Sequence, residues 1–389
     1  MRQQEGTTMR MQKVLGAAAM AALLAGPAIA AQNVANTSQK GSLLIWPPIS
    51  VVWPLSTVIE ISNDANRTVH VECEYVNEQK GRVNFDFDLS AKQTGSWDVY
   101  STKGDQVSPA KFPTNPGLPF FPGNAYKGEL ICFAVNEGRE FQIAFNHLTG
   151  TATVVKVGTP PTAESVEVPK HAFKYNAWAF TARNRLGPAP DNQLTRHGTI
   201  AGFLNLSGGI ADGVYDACPA YNIANFMPNG AYLGAVRTLS NSLAVVSCGQ
   251  DLRERYNIYA TKLEFTVWNS EEHSFTGAHY CTDSVTDVYL SDPPVTAGSN
   301  FDYDVLHTAN ARFQVRGVNG GGACLFPTRT SGLLGVLYSE IAIRGGEKDV
   351  SEISSSDAWV GNTLHGAGSL PGFVRWDPSG PVQLRAPAR

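Results

Sequence analysis

The stretch from Arg67 to Asn77, "RTVHVECEYVN", constrains this chain more than any other. Val69, Val71, Cys73 and Tyr75 fall on one side of an extended backbone, and His70, Glu72 and Glu74 on the other. A period of two marks a strand with one buried face, because successive side chains of an extended chain point to opposite sides of a sheet. "RVNFDFDLS" repeats the pattern through Val83, Phe85, Phe87 and Leu89, and "GELICFAV" and "TGTATVVKV" follow as further strands. Helical periodicity is almost absent up to residue 157. Beyond the proline-punctuated stretch "GTPPTAESVEVPKH" (158–171), strands resume in "YNAWAFTA", "HGTIAGFLNLSG", "SLAVVSCGQDL", "ATKLEFTVWN", "SFTGAHYCTD", "ARFQVRGV" and "LLGVLYSEIAI". "TKLEFTV" and "ANARFQV" have a trace of helical spacing, but their β-branched and aromatic content favours strand. The 37 glycines and 23 prolines supply the punctuation that many short strands need.

Near the start, "MRMQKVLGAAAMAALLAGPAIAAQN" carries basic Arg10 and Lys13, an apolar run from Val14 to Gly26, and the small-x-small site Ala28-Ile29-Ala30. That order is the signature of a cleaved signal peptide. The run is too short to span a bilayer, which needs about 20 residues. Export is therefore expected, with residues 1–30 removed and the remainder working in the periplasm, at the cell surface or outside the cell. The first cysteine is Cys73, so none stands at the cleavage site to carry a lipid. Loss of Arg2, Arg10 and Lys13 together with Glu5 takes the formal net charge from −4 to −6. This mild acidity, without a basic cluster, argues against nucleic acid or anionic lipid as a partner.

The stretch "SLLIWPPISVVWPLSTVIEISND" (Ser42 to Asp64) is apolar enough to raise the question of a membrane helix. Its prolines, and the acids Glu60 and Asp64, exclude one, so no transmembrane segment is expected in the mature chain. "LLIW" and "SVVW" read instead as short strands ended by proline, at sheet edges or strand ends. Trp46 and Trp53 then belong either to strand-end packing or to a partner-binding surface.

All six cysteines follow the signal: Cys73, Cys132, Cys218, Cys248, Cys281 and Cys324. An even number in an exported chain reads as disulfides. The absence of Cys-x-x-Cys speaks against thiol exchange and a zinc ribbon, and that of Cys-x-x-Cys-His excludes covalent haem. Spacing alone leaves the pairing open, but the two halves show a weak repeat. In each, an alternating strand ends at an asparagine (Asn63, Asn269) and a cysteine follows in the next strand. If that repeat is structural, Cys73–Cys132 and Cys281–Cys324 are equivalent bridges and Cys218–Cys248 is an additional one.

Several segments carry a resemblance: "KGSLLIWPPISV", "VIEISND", "GELICFAVNEG", "NHLTGTATVV", "KYNAWAFTA", "YDACP", "FTVWNSEEHSFTGAHYC" and "PGFVRWDP". Together they resemble a group of exported bacterial β-rich proteins over most of the mature chain. The group has no assigned activity, so the resemblance implies export and fold and no catalytic residues.

Candidate chemistry is sparse. The chain has no Gly-x-Ser-x-Gly elbow. "EEHSFTGAHYCTD" gathers His273, His279, Cys281 and Asp283, of which the last three share a strand face. With Cys281 used in a disulfide, His279 and Asp283 are left as weak metal candidates. Acidic turns in "SNDANR", "DSVTDVYLSD" and "NFDYD" could take calcium, although none matches an EF-hand loop. No other cofactor is expected. The most unusual segment is "SPAKFPTNPGLPFFPGNAYKG" (108–128), where five prolines interleave with Phe112, Phe120, Phe121 and Tyr126. Proline lowers the entropy cost of presenting aromatic rings, so the segment is either a partner-binding or packing loop or a clasp lying over the adjoining domain and burying those rings.

The expectation is an all-β protein of two tandem immunoglobulin-like antiparallel β-sandwich domains. These span 31–157 and 172–389 about a linker at 158–171, the second enlarged, with 172–250 and 251–389 as subregions. Its function is expected to be non-enzymatic: an exported structural, assembly or binding protein of the cell envelope or extracellular matrix. The partner would be a protein or polysaccharide at the cell surface, or another copy of the chain. Exposed strand edges are a route to polymers, with "LLIWPP" and "VVWP" as donor strand or guarded edge. The alternatives are a secreted polysaccharide-acting hydrolase, with two carboxylates across a cleft, and a soluble small-ligand binder with an enclosed apolar cavity.

Overall fold

Cys73 and Cys132 sit directly opposite each other on neighbouring strands, and the first half of the chain is built around that pair. The computed structural model describes residues 33–52, 55–114, 125–156, 171–194, 203–208, 214–252, 259–283, 285–290, 300–324, 326–343, 357–362 and 364–375. The signal segment, Trp53, Phe120, Phe121 and nearly all of the expected linker lie outside these residues.

The alternating segments form the strands expected of them, and almost everything described is sheet. An inner sheet runs in the order β10 (Trp178–Phe180), β1 (Leu43–Ser50), β7 (Lys127–Val135), β3 (Val69–Asn77), β4 (Arg82–Leu89). An outer sheet runs β6 (Lys103–Asp105), β5 (Thr94–Asp98), β2 (Leu55–Asn63), β8 (Leu148–Lys156), β9 (His171–Asn176). Both are antiparallel, and Leu44, Trp46, Ile59, Ile61, Tyr75 and Trp97 close the core between them. Trp97 Nε1 donates to the Tyr75 hydroxyl at 2.6 Å, which satisfies both polar atoms inside that core.

The inner sheet is covered on its second face as well. Leu43, Ile45, Ile131, Phe133, Trp178 and Phe180 belong to a second core, shared with the C-terminal half. There two further antiparallel sheets pack together. One contains Thr261–Trp268, Ala311–Val318 and Tyr221–Phe226; the other contains Val236–Ser247, Leu333–Ile343 and Asp357–Asn362. Val285–Tyr289 pairs with Val236–Ser247. A small sheet joins Phe203–Leu206, Gly372–Arg375 and Gly249–Asp251, the last two strands running parallel.

This arrangement revises three expectations. First, β1 is no edge or donor strand: it lies between β10 and β7, with Leu43–Trp46 buried on both faces. A run of apolar residues without alternation is what two-sided burial demands. Pro47 and Pro48 fall where the β1–β7 register shifts, in the part of β1 that β10 does not reach, so their missing N–H groups break no ladder. Second, the chain beyond residue 171 does not open a separate domain. β9 pairs with β8 and β10 with β1, completing the first sandwich, and the chain from Asn33 onward forms one compact unit.

Third, the halves are not equivalent. β2 and β3 lie in different sheets, whereas Thr261–Trp268 and Ser274–Thr282, their counterparts in the proposed repeat, pair as a hairpin. The three bridges connect Cys73–Cys132, Cys218–Cys248 and Cys281–Cys324. The first is fully buried within one sheet, while the last ties the end of an outlying strand to a short 3₁₀ turn. Cys73–Cys132 joins neighbouring strands of one sheet, whereas the bridge of an antibody domain joins two sheets.

Candidate functional site

Where the first sandwich meets the strands of the second half, the chain leaves a cavity of about 100 Å³. Its walls come from three places. β1 contributes Pro48, Ile49 and Ser50, and the start of β7 contributes Lys127. β8 and β9 add Val154 and Phe173. Ser242, Val285, Asp287, Tyr289 and Tyr338 close it from the C-terminal sheet.

One ion pair organises the polar end. Lys127 Nζ lies 2.7 Å from Asp287 Oδ2, across 160 residues of sequence. The Tyr338 hydroxyl donates to the same oxygen at 2.7 Å. Burial alone would lower the Lys127 pKa, but the charge and hydrogen bond of Asp287 outweigh it and hold the ammonium above its ordinary value. Burial, then the Asp287 charge, pushes the Tyr338 hydroxyl far above the ordinary phenol range, so it stays a donor. Phe173 stacks on Tyr338 and Tyr175 on Phe173, while the Tyr175 hydroxyl donates to the Pro48 carbonyl at 2.5 Å. Two buried side-chain oxygens of these lining residues have no hydrogen-bond partner within the described protein: Asp287 Oδ1 and Ser50 Oγ. Buried polar atoms are seldom left so.

Two more open grooves are larger, about 470 and 530 Å³. In one, Lys174 pairs with Glu60; in the other, Arg67 pairs with Asp191 and lies over the Phe145 ring.

A second polar assembly lies on the covered face of the inner sheet. Glu74 on β3 and Glu129 on β7 are both buried, and Arg82 Nη1 of β4 lies 3.3 Å from Glu74 Oε1. Gln250, on the covering strand Gly249–Asp251, faces Glu129. Burial pushes Glu74 up to about 7 against the pull of Arg82, and Glu129 up to about 8.

The residues singled out in the sequence fall elsewhere. Trp46 and Phe112 are buried in the first core, so neither ring is available to a partner at the surface. Phe112 packs edge-on against Tyr75, and Asn77 Nδ2 donates to the Pro113 carbonyl, so this end of the proline-rich segment is a clasp on its own sandwich. Tyr126 is half-buried against the same core. Its carbonyl accepts from Val51 N–H at 2.8 Å. His279 contacts the Gly277 carbonyl, while Asp283 pairs with Lys80 at 3.6 Å. Among the described residues, no three His, Cys, Asp or Glu side chains converge as metal ligands. In the acidic turn at Asp64, Lys40 and Lys92 neutralise the carboxylate and hold its pKa down to about 2.

No helix among the described residues is long and apolar enough to cross a membrane. No protein-family model matches the chain, and no curated protein matches it in sequence.

Proposed function

We propose that this is an exported, non-enzymatic binding protein of the cell envelope or its surroundings. It would belong with the β-rich exported group its sequence resembles, and its ligand would sit in the cavity between the sandwiches. One observation carries the reading. Asp287 and Ser50 come from opposite halves of the molecule, both line one largely apolar cavity, and each keeps a buried side-chain oxygen with no partner within the described protein. A concave apolar site with a few convergent polar groups is the usual form of a small-ligand site. Three disulfides, with no cysteine left free, support an oxidising compartment.

The structural alternative loses its best device, since β1 is interior and cannot be donated to another copy. The test is to isolate the native protein without reductant, size it, and record its thermal midpoint against a panel of small polar-headed compounds. A free species stabilised by some of them supports binding. Recovery in salt-resistant polymers that respond to none returns the assembly reading.

A further inference from the structure

We infer that Asn319 is a site of self-catalysed deamidation, in which the Gly320 backbone nitrogen attacks the Asn319 carboxamide, the Thr328 hydroxyl carries the proton, and water is the co-reactant. This goes beyond the binding-protein reading and does not depend on it.

The chain contains two Asn-Gly steps, Asn229-Gly230 and Asn319-Gly320. Such a step is open to ring closure, because glycine has no Cβ to keep its nitrogen away from the preceding carboxamide. The fold treats the two steps differently.

Asn319 follows the strand Ala311–Val318 and leads into the 3₁₀ turn Gly321–Ala323, next to the Cys281–Cys324 bridge. It is exposed, so water reaches it. Gly320 N–H donates to Thr328 Oγ1 at 2.9 Å, and the Thr328 hydroxyl in turn donates to Asn319 Oδ1. One hydroxyl therefore links the proton of the nucleophile to the oxygen on which charge develops. Gly321 N–H donates to the same oxygen at 3.2 Å, so a backbone dipole is already aimed at that charge. Thr328 is held in place by its neighbours: Ala260 N–H donates to the Pro327 carbonyl and Arg329 N–H to the Ala260 carbonyl, both at 2.9 Å. A Cβ on Gly320 would stand 2.9 Å from Lys262 Cβ, so packing as well as chemistry keeps glycine here.

The step balances without any redox change. The Gly320 nitrogen bonds to Asn319 Cγ while its proton passes to Thr328 Oγ1, and the proton of Thr328 passes to Oδ1. Thr328 ends as it began, and Cγ carries a hydroxyl and an amino group. Cleavage of the Cγ–Nδ2 bond, with the hydroxyl proton going to the departing nitrogen, releases ammonia and leaves a cyclic imide. Water opens the imide at either carbonyl, giving aspartate or its β-linked isomer. Both products add a negative charge, and the β-linked one lengthens the backbone just ahead of Cys324.

Asn229 lacks these features. It is 8% exposed, its Oδ1 accepts from Asn241 Nδ2 at 2.7 Å, and its Nδ2 donates to Asp302 Oδ1 at 2.9 Å. Gly230 N–H donates to the Thr238 carbonyl at 2.9 Å, and a carbonyl has no proton to pass on. Ring closure there would break buried hydrogen bonds and would have no proton carrier.

The experiment incubates the processed, disulfide-bonded protein at constant neutral pH. Peptide mass spectrometry, with chromatographic separation of the aspartyl and β-linked products, gives the converted fraction at each asparagine. A positioned proton carrier contributes about 10²-fold or more, so conversion at Asn319 should run at least about ten-fold ahead of Asn229. Thr328→Val, which keeps the shape and loses the hydroxyl, should slow Asn319 by at least about ten-fold, while Thr328→Ser should keep the wild-type rate. In the reduced chain unfolded in urea, the two asparagines should convert at similar rates and Thr328→Val should change neither. Equal conversion of Asn319 and Asn229 in the folded wild type, or an intact Asn319, would overturn the inference, and neither result depends on a variant folding. An unchanged Asn319 rate in folded Thr328→Val would overturn it as well.

Discussion

Phe173 and Tyr338 lie face to face, their ring centroids 4.9 Å apart and their planes within 12° of parallel. One ring belongs to the first sandwich and the other to the C-terminal sheet, so the stack is a rivet between the halves as well as a wall of the cavity. Phe173→Ala deletes a ring that is 5% exposed, and such truncations cost about 3 kcal/mol. We expect the unfolding free energy to fall by that amount. A loss below about 0.5 kcal/mol in chemical denaturation would mean that the rings do not hold the halves together.

Gly150 makes room for Trp46. A Cβ built on Gly150 would stand 2.2 Å from Trp46 Cζ2, and the indole is fully buried with nowhere to retreat. Gly150→Ala should therefore destabilise by about 1–3 kcal/mol through overpacking. The double variant Gly150→Ala with Trp46→Phe should recover part of the loss, because the smaller ring vacates the contested space. Additive losses in urea titrations would contradict the assignment.

That contact shows where sequence reading succeeds and where it stops. "TGTATVVKV" reads as a strand and forms one, but no local signal says that Gly150 faces an indole from a strand more than a hundred residues earlier. The same limit explains β1. "LLIW" has no alternation because both its faces are buried, and its prolines suggested an edge when they mark a register shift. It also explains the acids of β3. Period two correctly put Glu74 opposite Cys73 and Tyr75, yet alternation names faces without saying what covers them. The Lys127–Asp287 pair was illegible for a related reason. Lys127 closes the proline-rich segment and Asp287 lies in one of the acidic segments, yet nothing in either segment points to the other, and only the docking of the two sandwiches brings them together.

The disulfides should respond unequally to reductant. Cys73–Cys132 is fully buried and Cys218–Cys248 nearly so, whereas Cys281 and Cys324 are both partly exposed. Thiol exchange needs access to the sulfur. Brief treatment of the native protein with a mild reductant and an alkylating agent should label Cys281 and Cys324 first, as read by peptide mass spectrometry. Labelling of Cys73 at an equal rate would show that the first core opens far more readily than its packing implies.

The buried carboxyls make the last prediction, one of pH. Glu74 and Glu129 titrate near 7 and 8 in the folded protein and near 4.5 when unfolded, and burial is the main cause of each rise. A folded pKa above the unfolded one means that the native state holds protons the unfolded chain has released. The stabilisation is therefore complete below about pH 4.5 and is lost as pH rises through 7 and 8. Arg82 faces Glu74 and tempers its loss, while Glu72 adds like charge; Gln250 is the polar group opposite Glu129. The unfolding free energy should fall by on the order of 6 kcal/mol between pH 5 and 9, the larger share from Glu129. Most of that slope should vanish in Glu129→Gln, which keeps the shape of the neutral acid and cannot ionise. Parallel pH profiles for wild type and variant in chemical denaturation would show that Glu129 is not protonated at neutral pH, and the covered face of the inner sheet would then have to hold a charge that nothing described there balances.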